Sequence, residues 1–370
     1  MRKKLLALAT AGLLATVTLT ACDDSDSSSD ASSDSGSGSG SGKARVGVIL
    51  PDTKSSQRWG TDDPKYLKEA FDAAGVPVEI VNAQGDRANF VKVGTDMVNS
   101  GVKVLIIANL DSDTGKQVLD KAKAKKIPTI DYDRLTLNGG ADYYVSFDNE
   151  QVGELQAGGL INCLKQKNVV NPIVAELNGS PTDNNATLFK NGYDSLLQPK
   201  YDDAQYTKGP DQSVPDWDND EGGKIFDQML QQQPKIDGVL AANDGLAGAV
   251  IKVLRKKGLS GKVPVTGQDA TLEGLQNLLT GEQCVTIYKA IQPEAQAAAN
   301  LAIQLFKGEK PTTKDQLKDP ESGAYVPFVS LSPIQITVDQ IQQVIDGKFV
   351  AKKDLCAGKY ATLCTKYQVK

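Results

Sequence analysis

Histidine is absent from this 370-residue chain. Its absence excludes Ser-His-Asp and Cys-His nucleophilic sites, histidine general bases and the usual mixed zinc sites. Any catalytic chemistry would have to rely on carboxylates, lysine or tyrosine. We therefore expect a protein that is not an enzyme, with no catalytic residue, no metal site and no cofactor.

An excess of basic charge is also missing, since 41 Lys and Arg residues stand against 46 Asp and Glu residues. A nucleic-acid-binding protein would normally present a basic face, so the net charge of -5 predicts that nucleic acid is not a partner. The remaining composition is ordinary for a globular protein, with 40% hydrophobic and 24% charged residues. The length is sufficient for two domains.

The apolar run near the N-terminus is too short for a finished membrane span. Three consecutive basic residues precede the run Leu5–Leu14, and small residues lead up to Cys22. This pattern predicts a secretory signal peptide at residues 1–21. The tetrapeptide L-T-A-C at 19–22 resembles a bacterial lipobox, which implies cleavage before Cys22 and attachment of lipid to its thiol. The alternative is a plain secretory signal in which Cys22 is incidental.

Residues 23–42 are Asp and Ser with one alanine, followed by Ser-Gly repeats. Such a segment cannot bury apolar surface, so residues 22–42 are predicted to be the lipidated cysteine and a flexible, solvated tether. The leader and the tether together predict an extracytoplasmic protein, anchored by lipid to the outer face of the cell membrane. The membrane is then a partner through the anchor at Cys22.

From residue 44 onward, strand-like and helix-like segments alternate along the chain. Repeated βα units give parallel sheets with helices on both faces. Two such series follow each other, so the sequence predicts an α/β protein with two Rossmann-like, doubly wound lobes. The predicted strands are Ala44–Leu50, Val78–Val81, Val102–Ala108, Ile127–Asp131, Tyr143–Phe147, Ile173–Leu177, Ala204–Thr207, Ile236–Ala242, Val263–Gly267 and Val285–Tyr288.

Polar side chains follow seven of the predicted strands. The stretch Ile127–Leu135 is the clearest example, because a β-branched run leads directly into Asp133 and Arg134. In an open α/β sheet, ligands bind outside the carboxyl ends of the strands. Adjacent carboxylate and guanidinium groups there offer acceptors and donors together, which suits a polyhydroxyl ligand. The corresponding residues at the other strand ends are Arg58, Trp59, Asp183, Asn185, Trp217, Asn243, Asp269 and Lys289.

The chain has two tryptophans, Trp59 and Trp217, and both fall in these strand-end segments. An indole face stacks well on the C–H face of a pyranose, and charged or amide groups around the ring edge would satisfy the hydroxyls. The combination indicates a sugar-binding site. The alternative is that Asp183, Asn243 and Asp269 are N-caps of the helices that they precede, with the remaining charges on the surface.

Several longer motifs resemble the D-xylose-binding proteins, a group within the ribose/xylose/galactose class of type I periplasmic binding proteins. The resemblance runs in register from about Lys43 to Asp346. Its motifs are R-W at 58–59, Y-D-R at 132–134, S-F-D-N-E-Q-V-G-E-L-Q-A at 146–157, G-S-P-T-D-N-N-A at 179–186, A-N-D at 242–244, G-Q-D-A at 267–270 and T-I-Y-K at 286–289.

The resemblance implies two lobes, joined by a three-stranded hinge, that close over one monosaccharide. The implied N-terminal lobe is residues 43–147 with 290–332, and the C-terminal lobe is residues 148–289 with 333–370, including a tail. By matching motifs, the resemblance implies sugar contacts at the strand-end residues and adds Phe189 as a wall residue. The implied set is Arg58, Trp59, Asp133, Arg134, Asp183, Asn185, Phe189, Trp217, Asn243, Asp269 and Lys289. Around Trp217 the segment P-D-W-D-N-D-E-G departs from the family pattern.

Four cysteines remain besides Cys22. In an oxidising compartment an even number predicts two disulfides. Cys356 and Cys364 would close a short loop within the C-terminal segment 355–370, where the chain departs from the family pattern. Cys163 and Cys284 are expected at the end of the second lobe away from the cleft, and we predict that they form the second bridge.

The resemblance implies an extracytoplasmic lipoprotein that captures xylose or a related aldose and delivers it to an ABC sugar importer. The importer's permease and ATPase would then be partners, and we expect a monomer. One alternative is a sugar-sensing receptor that signals through a membrane partner. Another is a glycoside hydrolase that uses Asp133, Asp183 or Asp269. A sugar-responsive repressor would need a helix-turn-helix where this chain has its leader and tether.

Overall fold

The computed structural model describes residues 44–370, so the predicted signal peptide, Cys22 and the whole tether region lie outside the described residues. The strands of this part are β1 (Val46–Leu50), β2 (Val78–Asn82), β3 (Val104–Ile107), β4 (Thr129–Tyr132), β5 (Tyr143–Phe147), β6 (Ile173–Asn178), β7 (Thr207–Ser213), β8 (Gly238–Ala241), β9 (Thr266–Gln268), β10 (Val285–Tyr288), β11 (Asp315–Lys318), β12 (Tyr325–Leu331) and β13 (Ile334–Ile336). Its α-helices are α1 (Asp62–Ala73), α2 (Arg87–Asn99), α3 (Ser112–Ala124), α4 (Asn149–Gln166), α5 (Asn184–Asp202), α6 (Asn219–Gln232), α7 (Asp244–Lys256), α8 (Leu272–Thr280), α9 (Ile291–Phe306), α10 (Ile341–Asp346), α11 (Lys352–Leu355) and α12 (Ala361–Lys366).

The first lobe is built around a seven-stranded sheet with the strand order β11-β12-β5-β4-β3-β1-β2. All neighbouring strands are parallel except the β11–β12 pair. Strands β1, β3 and β4 are buried along their whole length. The continuous apolar runs of β1 and β3 are typical of parallel strands that helices cover on both faces. The carboxyl ends of these strands therefore meet at one edge of the sheet.

The second lobe contains two three-stranded sheets, ordered β7-β6-β8 and β13-β10-β9. The β6–β7, β6–β8 and β9–β10 pairs are parallel, and the β10–β13 pair is antiparallel. A single parallel bridge between Val239 and Val265 places the two sheets side by side. Helices α4, α5, α6 and α7 enclose a common core with these strands.

The chain passes between the lobes three times within residues 44–370. The connections lie between β5 and α4, between β10 and α9, and between β12 and β13. At the second connection the chain returns to the first lobe. Helix α9 follows β10 of the second lobe, but its residues Ile291 and Ala298 pack in the first-lobe core together with Val48. The predicted class of two α/β lobes with parallel sheets and three connections is confirmed.

Close packing of α4 against α5 positions one side of the cleft. A Cβ atom at Gly153 of α4 would overlap with the backbone oxygen of Phe189, and one at Gly192 of α5 would overlap with the backbone oxygen of Glu150. The two helices can approach this closely only because both positions are glycine. This contact holds the N-terminal turn of α5 and Phe189 at the cleft.

The sequence located β7 incorrectly and did not predict β11, β12 or β13. The prediction for β7 was Ala204–Thr207, whereas the strand begins where that segment ends. Ala204 has φ 57° and belongs to a turn. The strand itself reads T-K-G-P-D-Q-S and lies at the edge of its sheet, so neither an apolar run nor an alternating pattern marks it.

The C-terminal segment packs on the second lobe. Leu355, Cys364 and Val369 share a core with Leu278 of α8 and Tyr288 of β10. The structure contains the disulfides Cys163–Cys284 and Cys356–Cys364, the pairings expected from the sequence. Within residues 44–370, no helix is both long enough and apolar enough to cross a membrane.

Candidate functional site

An inner cavity lies between the two lobes at the carboxyl ends of their strands. The space between its walls is about 340 Å³, a figure that includes open solvent. All eleven side chains predicted to contact a sugar line this cavity, and Ser55, Ser56 and Gln268 line it with them. The predicted residues in its wall are Arg58, Trp59, Asp133, Arg134, Asp183, Asn185, Phe189, Trp217, Asn243, Asp269 and Lys289.

Each of these side chains is carried by a segment that directly follows a strand. The first lobe contributes the 3₁₀ helix Gln57–Gly60 after β1 and the residues after β4. The second lobe contributes the start of α5 after β6, the 3₁₀ helix Pro215–Trp217 after β7, and the residues after β8, β9 and β10. The site therefore follows the general rule that ligands of open α/β sheets bind at the carboxyl ends of the strands.

Arg58 is the centre of a buried ionic network in the first lobe. Its guanidinium is paired with Asp63 at 2.7 Å, with Glu294 at 2.6 Å and with Asp133 at 3.0 Å. The hydroxyl of Tyr132 also donates a hydrogen bond to Asp63 at 2.6 Å. Burial by itself lowers the pKa of Arg58, but the three carboxylates outweigh it and hold this pKa well above its usual value. The guanidinium is thus a fixed cation at the cavity wall.

Asp133 is the point at which the network reaches the second lobe. Its Oδ2 atom accepts a hydrogen bond from Arg58 Nη1 at 3.0 Å and one from Lys289 Nζ at 3.3 Å, and its Oδ1 atom accepts one from Asn185 Nδ2 at 3.1 Å. Burial would raise the pKa of Asp133, but the charges of Lys289, Arg58 and Arg134 lower it below its usual value. This carboxylate therefore remains ionised in the closed cavity.

Asp183 is both a wall residue of the cavity and a helix N-cap, the two alternatives that the sequence left open. It is the N-cap of α5, because its Oδ1 atom accepts a hydrogen bond from the backbone N–H of Asn185 at 2.9 Å. Its Oδ2 atom also accepts a hydrogen bond from Trp217 Nε1 at 3.1 Å and lies 3.0 Å from Nε of Arg134. Asn243 is likewise both a wall residue and the N-cap of α7.

Asp269 is not a helix cap, which was the alternative interpretation of this residue. Thr271, not Asp269, is the N-cap of α8. Asp269 has φ 99°, and its Oδ1 atom accepts a hydrogen bond from Gln268 Nε2 at 3.0 Å. Burial raises the pKa of Asp269 although Lys289 and Arg58 lower it. The positive φ of Asp269 is uncommon for a non-glycine residue, and such backbone conformations concentrate at functional sites.

Aromatic rings form two walls of the cavity. The guanidinium carbon of Arg58 lies 4.3 Å from the ring centroid of Trp59, and that of Arg134 lies 5.5 Å from it. On the other wall, Phe189 and Trp217 are arranged edge to face with ring centroids 6.4 Å apart. Apolar faces surrounded by charged groups suit a ligand that has both C–H faces and hydroxyl groups.

Besides Arg134 Nε, which forms an ion pair with Asp183, two buried polar atoms of the wall have hydrogen-bonding capacity left over. Trp59 Nε1, a donor, and Gln268 Oε1, an acceptor, have no hydrogen-bond partner in the part of the chain that the structure describes. An unsatisfied buried polar group costs about 1–3 kcal/mol, so a ligand that bonds to it recovers this free energy. The cavity can therefore accept a ligand that both donates and accepts hydrogen bonds.

The sequence did not identify Gln268, Ser55 or Ser56 as wall residues, nor Asp63 and Glu294 as partners of Arg58. Gln268 offered a signal, because it directly precedes Asp269 at the same strand end. The two acidic residues offered none, since each lies in the first turn of a helix, where an acidic residue is usually solvated. Among the described residues, no group of three or more acidic or cysteine side chains is placed to hold a metal ion.

Comparison with known proteins gives matches over most of the chain. A family model described as Periplasmic binding protein domain matches residues 46–310. The chain is 35% identical over 308 residues to the D-xylose-binding periplasmic protein of Escherichia coli, covering 82% of this chain and 89% of that protein. It is 33% identical over 318 residues to the multiple sugar-binding periplasmic receptor ChvE of Rhizobium radiobacter, covering 82% and 89%.

A solved structure has the same fold. The carbohydrate transporter solute binding protein from Chloroflexus aurantiacus, in complex with D-glucose, superimposes with a TM-score of 0.76 at 26% identity. The match covers 84% of this chain and 98% of that one. These relatives are named as binding and transport proteins, not as enzymes. The chain belongs to the periplasmic binding protein family, type I.

Proposed function

We propose that this protein is an extracytoplasmic solute-binding protein that captures a monosaccharide between its lobes and delivers it to an ABC sugar importer. The observation that carries the proposal is the inner cavity, in which charged, amide and indole side chains from both lobes converge. A ligand that contacts both lobes makes all its contacts only in the closed form, so binding shifts the population towards closure. The permease and its ATPase are the proposed partners of that closed form.

D-Xylose or a closely related aldose is the proposed ligand. This rests on the 35% identity to a protein named as D-xylose-binding. The proposed contacts are the eleven wall residues. The proposed N-terminal lobe comprises residues 43–147 and 290–332, and the proposed C-terminal lobe comprises residues 148–289 and 333–370.

A thermal-shift panel of pentoses and hexoses tests this function. A ligand that binds the native state raises the melting temperature according to its concentration relative to Kd. We expect a clear rise with D-xylose or a close aldose, and loss of that rise in Arg134→Ala and Asp269→Ala. Unchanged melting temperatures with every monosaccharide would contradict the proposal.

We also propose that the mature protein is a monomer anchored to the outer face of the cell membrane through lipid on Cys22. The support is the L-T-A-C tetrapeptide at 19–22 and the Ser-Gly tether that follows it. Replacement of Cys22 by serine should release the protein from the membrane fraction. Continued membrane association of that variant would contradict the anchor.

A sugar receptor that signals through a membrane partner is a second candidate. It is favoured by one observation, the 33% identity to a protein named as a multiple sugar-binding receptor. Both roles use the same closed form, so binding data do not separate them. Deletion of the gene distinguishes them, because a transport role predicts lost uptake of labelled sugar and a signalling role predicts lost transcriptional response with uptake retained.

A further inference from the structure

The first-lobe sheet carries a group of lysines at the edge where its parallel strands begin, opposite to the edge that forms the inner cavity. In a βα unit the helix runs antiparallel to its strand, so the end of α3 returns to this edge. The lysines lie before β3, at and after the end of α3, and after α9. We call them the basic edge, which comprises Lys103, Lys123, Lys125, Lys126, Lys307 and Lys310.

Two contacts show that these segments share one edge. The backbone N–H of Lys103 donates a hydrogen bond to the carbonyl of Arg45 at 2.9 Å, directly before β1. Strands β1, β3 and β4 are parallel neighbours, so their first residues lie side by side. The hydroxyl of Tyr143, the first residue of β5, donates to the carbonyl of Pro311 at 2.9 Å. This contact places the segment after α9 at the same edge.

The ammonium groups of the basic edge are not neutralised by the protein. Lys123, Lys126 and Lys310 line one surface groove, together with the carboxylates of Asp142 and Glu309. Asp142 accepts hydrogen bonds from the backbone and the hydroxyl of the first residue of β4. All six lysines are exposed, and within residues 44–370 none of them forms an ion pair. The edge therefore presents a local excess of positive charge.

Helix stabilisation explains only part of this charge. Lysines near the end of a helix interact favourably with the helix dipole, and Lys123 and Lys307 fit that role. Lys103 and Lys310 lie in loops outside the helices. Lys126 has φ 57°, a left-handed conformation for which glycine is the usual residue after a helix end. Three of the six positions are thus not accounted for by the stability of a helix.

The basic edge lies where the predicted tether joins the first lobe. The predicted tether ends at residue 42, and Arg45, the neighbour of Lys103, follows three positions later. A Ser/Gly-rich chain of about 20 residues has an end-to-end distance of about 25 Å. Lipid on Cys22 would therefore keep the basic edge within about three Debye lengths of the membrane surface at physiological salt.

We infer that the basic edge binds the anionic phospholipid headgroups of the membrane that holds the proposed lipid anchor. The inference rests on the proposed anchorage through Cys22, which raises the local concentration of headgroups around the edge. Lysines close to an anionic surface are attracted to it, and a polybasic patch is a common second signal beside a lipid chain. The inner cavity lies at the opposite edge of the sheet, so headgroup binding leaves the sugar site free.

The net charge of the chain makes the inference specific to this edge. The whole chain has a formal charge of -5, so an anionic surface repels the protein as a whole. Attraction to anionic lipid must come from a local group of unpaired cations. A second group of exposed, unpaired lysines lies on the C-terminal segment of the second lobe and provides an internal control. The control lysines are Lys352, Lys353, Lys359 and Lys366.

Lysine labelling of the lipidated mature protein tests the inference. The protein is reconstituted on vesicles of phosphatidylcholine alone, or of equal parts phosphatidylcholine and phosphatidylglycerol. It is then treated with a water-soluble amine-reactive reagent, and the labelled lysines are quantified by mass spectrometry. We expect labelling of the basic edge to fall at least threefold on the anionic vesicles and to recover near 1 M salt. Labelling of the control lysines should be the same on both kinds of vesicle.

A charge-reduced variant separates lipid binding from simple proximity to the membrane. Lys123→Gln/Lys126→Gln/Lys310→Gln should remove most of the protection that remains at Lys103. The control variant should retain that protection, and it carries the same substitution at Lys352, Lys353 and Lys366. Protection of Lys103 that persists in the test variant would overturn the inference, because the anchor alone would then explain it.

The remaining outcomes also decide the question. Equal labelling of the basic edge on neutral and anionic vesicles would overturn the inference, and so would protection of the control lysines instead. Protection on native membranes but not on lipid vesicles would assign the edge to a protein partner and overturn it. Mature protein without lipid on Cys22 would overturn both the anchor and the inference. Aldose binding, measured by calorimetry on the same protein, tests the proposed sugar-binding function separately and should be unchanged in the test variant.

Discussion

Lys289 Nζ lies 3.3 Å from Oδ2 of Asp133, and this contact joins the end of β10 in the second lobe to the end of β4 in the first lobe. Both side chains are buried, with about 4–5% of their surface exposed. Removing two charges from water is favourable only when they are paired and further hydrogen-bonded. Arg58 and Asn185 supply the further bonds to Asp133. Pairing between the charges that line the cavity thus stabilises the closed arrangement of the lobes.

Replacement of Asp133 by alanine should lower aldose affinity about 100-fold, because Arg58 and Lys289 lose their shared acceptor and remain in the cavity as unbalanced cations. Calorimetric titration measures the change. Asp72→Ala is the control, since it removes a carboxylate that is 60% exposed on α1 and paired with Lys68. An Asp133→Ala protein that folds and binds the aldose as wild type would show that the carboxylate is not a ligand contact.

Arg87 Nη2 donates a hydrogen bond to Asp216 Oδ1 at 2.9 Å between the lobes, and this exposed pair should stabilise the closed form only slightly. Exposed ion pairs contribute about 0.2–1 kcal/mol, so Asp216→Asn should raise the aldose dissociation rate by up to about fivefold. Asparagine keeps the shape of the side chain and tolerates the positive φ at this position. Stopped-flow measurements with Asp220→Asn as control should show the difference at low salt and lose it near 1 M salt. A difference that persists at high salt would point to a structural effect of the substitution.

Stability should fall as the pH rises from about 5 to 7. Burial raises the pKa of Asp131 to about 7, and burial together with the nearby charge of Asp269 raises the pKa of Asp244 to about 7. The ordinary aspartate pKa is about 3.9, so between these values the folded state binds protons that the unfolded state has released. Each carboxyl then lowers the free energy of unfolding by up to about 1.4 kcal/mol per pH unit, and the loss is complete above pH 7.

Urea unfolding across this pH window measures the effect. Asp244→Asn should make the decline shallower, because an amide does not titrate. Asp72→Asn, an exposed substitution on α1, should leave the slope unchanged. Equal slopes for wild type and Asp244→Asn would rule out a contribution from Asp244.

The two disulfides should differ in their contribution to stability. Cys163–Cys284 closes a loop of 121 residues, whereas Cys356–Cys364 closes a loop of 8 residues. In the chain-entropy description, the longer loop contributes about 2 kcal/mol more. Replacing both members of each pair by serine and comparing urea unfolding tests this difference. In the native protein without reductant, none of the four cysteines at positions 163, 284, 356 and 364 should react with an alkylating agent.

The positions of the site residues were predictable from the sequence because strand ends meet at one edge of a sheet. Asp133 and Arg134 follow a short β-branched run, and Asp269 follows another strand, so the rule for α/β sheets brings them together. Their pairing was not predictable. The sequence places Asp133 beside Arg134, but the structure pairs Asp133 with Arg58 and Lys289, and Arg134 with Asp183. Which charges pair is decided by side-chain directions that adjacency along the chain does not fix.

The partners of Arg58 in its buried ionic network could not be predicted from the sequence either. Glu294 lies 236 positions after Arg58, and nothing local marks it as a partner. Its helix returns to the first lobe from the second, and only that crossing places the carboxylate at the guanidinium. The predicted position of β7 was wrong for a related reason. An edge strand needs no apolar face and carries no periodic signal.

The most direct test of the central claim is a titration of intrinsic tryptophan fluorescence with D-xylose and related aldoses. The chain contains two tryptophans, Trp59 and Trp217, and both line the inner cavity. A sugar that binds there changes the surroundings of both indoles, so we predict a saturable change in fluorescence with one aldose. The change should be reduced in Trp59→Phe and in Trp217→Phe. Calorimetric binding of an aldose without any change in fluorescence would place the ligand elsewhere and contradict the account.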